Sequence, residues 1–201
     1  MSSPRIGVVM IDFVHGLTDE DSPYFFVCGD QVRRKEVWKN TTAVCSAARE
    51  LEYPVIWLSL GFQQGYVDLP ERSMIFGKIP DSGLFVVGSR SSSIDRRFGY
   101  ISDDLVVVKN SVSSFFGTGL YETLKLMGIH ELVVGGVTTD LGVLSFSREC
   151  HDRSLSTTVL SDCCAASDQA VHHSALGFIR RTSCVRRSAD LHDLFLGRLG
   201  A

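Results

Sequence analysis

Three segments of the chain end in residues able to move a proton. The apolar run Arg5–Ile11 leads into Asp12-Phe13, and Leu105–Val108 leads into Lys109-Asn110. A third run, Glu131–Val137, continues into Thr138-Thr139-Asp140-Leu141-Gly142. A carboxyl group set against an ammonium group is a general acid or base whose proton affinity is tuned by its surroundings. The sequence leaves the direction of that tuning open, because a neighbouring lysine lowers an aspartate pKa and burial at a strand end raises it. Taken alone, Asp12 also reads as a strand-end aspartate capping a turn, Gly142 as a tight-packing residue at a helix start, and Thr138 as a turn threonine.

The remaining reactive side chains are harder to place. Six cysteines, at positions 28, 45, 150, 163, 164 and 184, form no C-x-x-C pair and no zinc-like spacing with histidine. They read as reduced, mostly buried thiols, with Cys163 and Cys164 also standing as nucleophile candidates just after a strand. Arg72, Arg90, Arg96 and Arg97 lie in or near a long loop, where they are either solvated or a clamp for a substrate carboxylate. His15, His172 and His173 read as surface residues, the last two also as interface positions. The first turn carries no G-x-G-x-x-G, so a nicotinamide or flavin dinucleotide is not expected.

The elements that would position these residues follow from short apolar runs alternating with amphipathic stretches. That pattern predicts a doubly wound six-stranded parallel sheet with helices on both faces, a Rossmann-like three-layer α/β fold. Strands are expected at Arg5–Ile11, Val55–Leu60, Leu105–Val108, Glu131–Val137, Leu155–Leu160 and near Cys184. Helices are expected over Gln31–Leu51, from a Thr118 cap to Met127, and over Asp140–Asp152 and Asp168–Arg180, with a closing helix from Ala189. About thirty residues rich in Gly, Ser and Pro follow the second strand and read as a lid or substrate loop. In such sheets ligands bind beyond the carboxyl ends of the strands, where Asp12, Lys109 and the segment before Gly142 all fall.

Bulk properties narrow the functions. A length of 201 residues suits one domain spanning 1–201. Lys plus Arg at 20 against Asp plus Glu at 23 gives a formal charge of −3, with no basic field to hold nucleic acid. The longest apolar runs fall far below the ~18 residues of a membrane span, and the N-terminus shows no export signal, so a cytoplasmic protein is expected.

Together these segments resemble the isochorismatase-like (cysteine hydrolase) superfamily over nearly the whole chain. Asp12-Phe13 followed by Gly16-Leu17-Thr18-Asp19 and Ser22-Pro23 is similar to the opening of the carbamoylsarcosine and maleamate amidases. The stretch from Lys109 to Leu120, with Phe115-Phe116-Gly117-Thr118, resembles the family's lysine segment. Gly136-Val137-Thr138-Thr139-Asp140-Leu141-Gly142-Val143 resembles its nucleophile segment, with Gly142 standing where a cysteine is usual. The chain also has Asp12-Phe13-Val14 where the isochorismatases carry Asp-x-Gln.

The resemblance implies roles for these positions. In the amidases an aspartate takes the thiol proton, a lysine holds it, and the cysteine attacks. The isochorismatases carry glycine at the same position and hydrolyse a vinyl ether by proton donation. The leading expectation is therefore a hydrolase without a catalytic thiol, acting on a small anionic metabolite, most of all a vinyl ether of the isochorismate type, and belonging to secondary metabolism. Asp12 would be the acid, Lys109 would orient it, and Gly142 would leave room and expose a backbone N–H. Thr138, after a strained or cis Val137 peptide, would serve an oxyanion hole, with Phe13, Phe116 and Val137 also touching substrate. The alternatives are a C–N hydrolase of the carbamoylsarcosine or maleamate type using a displaced cysteine, and a non-catalytic binding or partner protein. No cofactor and no metal are expected, since Ser59-Leu60-Gly61-Phe62 lacks the histidines of the metal-bearing nicotinamidase branch. The resemblance also implies a homo-oligomer.

Overall fold

Val8 and Met10 pack into one apolar core while Val9 and Ile11 pack into another, as alternation along a strand covered on both faces demands. This strand, β1 (Arg5–Ile11), sits at the middle of the sheet in a computed structural model that describes residues 5–195. Around it lie β2 (Val55–Leu60), β3 (Leu105–Lys109), β4 (Ile129–Val137), β5 (Ser156–Ala165) and β6 (Cys184–Arg186). All pairings are parallel, in the order β3-β2-β1-β4-β5-β6. The doubly wound three-layer fold expected from the sequence is the one found.

The helices are α1 (His15–Thr18), α2 (Gly29–Arg34), α3 (Val37–Glu50), α4 (Ile79–Ser82), α5 (Leu120–Leu126), α6 (Leu144–Asp152), α7 (Gln169–Ile179) and α8 (Leu191–Phe195). Val32 of α2, Val44 of α3 and Leu191 of α8 cover one face of the sheet together with Trp57 and Phe98. Leu124 of α5, Phe146 of α6 and Leu176 of α7 cover the other.

Several expected boundaries move. The single helix over Gln31–Leu51 is two helices, broken at Glu36 with φ of 50°. Val32 and Val37 are both buried, and residues five apart on one helix would point about 140° away from each other, so only a break turns both inward. Thr118 does not cap α5, whose N-cap is Gly119. The Thr118 hydroxyl, one residue before that position, donates to Ser114 O at 2.7 Å and accepts from Leu120 N–H at 3.4 Å. Strand β5 runs five residues beyond the predicted end at Leu160, because Gly136 and Val137 pair with Cys164 and Ala165 after a bulge. The closing helix is observed as Leu191–Phe195, and residues 196–201 lie outside the described residues.

The long loop, residues 61–104, is no open flap. Phe62, Phe76, Ile79, Phe85 and Phe98 are buried in the same core as Trp57. Its far end is tied down by Asp104, which accepts from Trp57 Nε1 at 2.8 Å and from Arg49 Nη2 at 2.5 Å. No helix among the described residues is long and apolar enough to cross a membrane.

Candidate active site

Two glycines let the central strands close up. A Cβ at Gly136 would stand 2.6 Å from Ile11 Cβ and one at Gly135 2.9 Å from Cys163 Cβ, so a side chain at either would force neighbouring strands apart. With β4 drawn against β1, the chain leaving β1 turns sharply. Asp12 has φ of 57°, a left-handed conformation uncommon for residues other than glycine. It is held there by its N–H donating to Leu58 O at 2.9 Å and by Val14 N–H donating to Asp12 O at 2.8 Å.

Lys109 closes β3 two strands away, registered against Leu60, and reaches across β2 to Asp12. Its Nζ lies 2.8 Å from Asp12 Oδ2 and donates to Ser111 O at 2.9 Å. Both side chains are almost fully buried. Asp12 Oδ1 is buried and has no hydrogen-bond partner among the described residues. Burial holds the Asp12 carboxyl above its ordinary range, and the charge and hydrogen bond of Lys109 pull it only part of the way back. The direction left open by sequence is thus upward.

Beyond β4 the chain passes a cis Val137–Thr138 peptide and a π-type turn, Thr139–Val143, before α6 begins. That turn carries Gly142 back to Asp12. A Cβ at Gly142 would lie 3.4 Å from Asp12 Oδ2 and 3.3 Å from both Ile11 Cγ2 and Val137 O. The position that resembles the family's cysteine therefore adjoins the carboxyl group. Thr138 Oγ1, like Asp12 Oδ1, is buried without a partner.

These groups line one end of a cavity of about 170 Å³ at the carboxyl edge of the sheet, where β1 and β4 diverge in chain direction. Asp12, Lys109, Val137, Thr138 and Gly142 are all in its wall. Most of the rest is apolar: Leu17, Tyr24 and Val27 from the opening segment, Leu60, Phe76, Ile79 and Phe85 from the end of β2 and the long loop, and Val112. The loop thus forms the wall, the part of the lid expectation that the geometry supports.

Two expected substrate contacts lie elsewhere. The turn at Asp12 sends Phe13 into the core, fully buried and stacked on Phe98 with centroids 4.3 Å apart. Phe116 is 72% exposed and outside the cavity wall. Nor do the arginines reach it. Arg90 pairs with Asp19 at 2.9 Å, Arg97 with Asp95 at 2.5 Å, and Arg72 and Arg96 are exposed. His15, Asp19 and Asp95 place ligand-type atoms near one another, but the two guanidinium groups already occupy those carboxylates.

The thiols stand apart as well. Cys163 and Cys164 lie inside β5 rather than beyond it, fully buried, with burial raising both; Cys164 reaches about 12. Cys28 and Cys45 are likewise buried and pushed up to about 12. Among the described residues no cysteine lines the cavity. His172, expected at the surface, is buried with Nδ1 2.8 Å from Thr139 Oγ1, and burial pushes it down to about 4. It braces the turn that carries Gly142.

Sequence reasoning missed most of the apolar wall. Its signal was Ile75-Phe76 and Ile79, large apolar side chains inside a Gly, Ser and Pro-rich loop.

Residues 7–190 match the family model described as "Isochorismatase domain". Among curated relatives, the ureidoacrylate amidohydrolase RutB of Methylobacterium radiotolerans is 27% identical over 147 residues, 67% of this chain and 57% of that protein. The matches span about half the length of the curated relatives. Among solved structures, a cysteine hydrolase from Pseudomonas syringae superposes with a TM-score of 0.86 at 18% identity, covering 99% of this chain and 100% of that one. The N-carbamoylsarcosine amidase of Thermoplasma acidophilum superposes with a TM-score of 0.72 at 20% identity, covering 92% and 96%. At these identities the structures speak for the fold.

Proposed function

The chain belongs to the isochorismatase family of hydrolases, and from that premise we propose that it hydrolyses its substrate without a thiol, by proton transfer from Asp12. One observation carries the reading. The space beside Asp12 Oδ2 where a Cβ would begin holds only the hydrogen of Gly142, while the carboxyl group and Lys109 remain together in the cavity wall.

A vinyl ether is the bond this arrangement suits best. Asp12 gives its proton to the terminal carbon, and the adjoining oxygen shares the positive charge that results. Water then adds at the oxygen-bearing carbon and returns a proton to the Asp12 carboxylate. The hemiacetal or hemiketal collapses to a carbonyl compound and an alcohol. Lys109 neutralises the carboxylate while its proton is away, and Thr138 Oγ1 is free to hydrogen-bond the substrate oxygen.

Two relatives carry amidohydrolase or amidase names, which favours C–N hydrolysis as the second reading. Through Cys163 or Cys164 it gains nothing from the geometry, because both thiols are buried within β5. Turnover of a panel of vinyl ethers and amides by the wild-type protein and by Asp12→Asn is the test. Ether cleavage that disappears in the variant supports the reading. Full activity in Asp12→Asn, or an acyl-enzyme mass on a cysteine, overturns it, and no turnover of any panel member leaves a binding protein.

A further inference from the structure

The cavity wall has almost no charge to offer a ligand. Among the described residues its only acidic or basic side chains are Asp12 and Lys109, and they are paired with each other. The Lys109 side chain is 1% exposed and two of its three N–H donors are committed, to Asp12 Oδ2 and Ser111 O, so little of the ammonium is open to an incoming carboxylate. The arginines that would hold an anion are engaged elsewhere or point to solvent. The mouth is apolar too: Phe26, Ile75 and Leu141 line it and are 74%, 49% and 38% exposed.

We propose that this site takes an uncharged, largely apolar substrate carrying a ring-sized group, in place of the anionic metabolite expected from sequence. A volume of about 170 Å³ is close to that of apolar protein cavities known to accept benzene. The ring sits against Leu60, Phe76, Ile79 and Phe85, with a single polar atom directed to the unpartnered Thr138 hydroxyl. A charged ligand would lose its hydration, and the one ammonium in the wall, that of Lys109, is buried away from it. That the scissile bond faces Asp12 rests on the acid role proposed above; the seat itself needs only the wall.

Acetophenone and benzoate differ little in size and by one charge, and neither is a vinyl ether or an amide. Calorimetric titration of each into the protein should give acetophenone an affinity higher by on the order of 100-fold. Ile75→Arg, at an exposed position that tolerates the change, places a guanidinium at the mouth and should narrow that ratio by about tenfold. Equal or tighter binding of benzoate, or binding of neither, overturns the proposal. If the preference holds while phenyl vinyl ether and the amide panel are left intact, the apolar seat stands and the hydrolytic reading alone fails. If phenyl vinyl ether is cleaved while benzoate binds as well as acetophenone, the seat falls and the hydrolytic reading survives.

Discussion

At the scale of single residues the proposed chemistry turns on where one proton rests. Asp12 is buried, one oxygen on Lys109 and the other on nothing, and its carboxyl group is held above the ordinary range. Replacing it with asparagine should cost about 10²–10⁴-fold in kcat/KM, the usual worth of a positioned acid. A general acid works only while protonated, so kcat/KM should be level at low pH and fall as pH rises through the raised Asp12 value. Its midpoint should lie above the ordinary aspartate pKa of about 3.9. A rate that instead rises through that range would assign Asp12 the role of base. Iodoacetamide should leave the native protein's rate unchanged, because Cys28, Cys45, Cys150, Cys163 and Cys164 are buried with their thiols raised and half-buried Cys184 lies outside the cavity wall; loss of activity in step with alkylation would restore a cysteine to the mechanism. Asp12 and Lys109 could be picked out from sequence because each lies at the carboxyl end of a readable strand, and Gly142 because its segment resembles the family's nucleophile segment. Phe13 could not be placed, because the left-handed turn at Asp12 is a backbone property that no side-chain pattern announces.

At the scale of elements, the site depends on how closely β1 and β4 approach. A Cβ at Gly136 would stand 2.8 Å from Ile11 O as well as against its Cβ, and backbone gives way poorly. Gly136→Ala should therefore lower stability by about 1–3 kcal/mol, read by denaturant unfolding, and lower activity through displacement of Asp12. Gly142→Cys meets milder contacts of 3.3–3.4 Å and should fold at a smaller cost, with label found at position 142 in addition to any at half-buried Cys184. A position 142 that stays unlabelled would mean that this turn does not face the cavity. The strands themselves were readable from their apolar runs. The break at Glu36 and the extension of β5 were not, since each answers to packing between distant segments rather than to local pattern.

At the scale of the whole molecule, the loop over 61–104 belongs to the core and so fixes the shape of the cavity. Its anchor is Asp104, bound at once by Trp57 and by both Arg49 Nε and Arg49 Nη2. Asp104→Ala should strip the indole and guanidinium of a buried partner and cost about 3 kcal/mol in thermal or chemical unfolding, with catalysis per folded molecule nearly retained. A change that spared stability and removed activity would show that the loop is held by other means. The composition of this loop marked it as functional, but its path did not follow from sequence, because Gly, Ser and Pro permit many routes and only tertiary contacts select one.

The proposed reaction centre, with hydrogen at position 142, has a practical corollary in oxidising surroundings. Peroxide inactivates a thiol nucleophile by converting its sulfur to an oxyacid, and repair requires a reductant. Nothing in this wall can be lost that way. Among the described residues the sulfur most open to such attack is that of Met74, 99% exposed and outside the cavity wall, where a sulfoxide would mark the surface while Asp12 and Lys109 stay untouched.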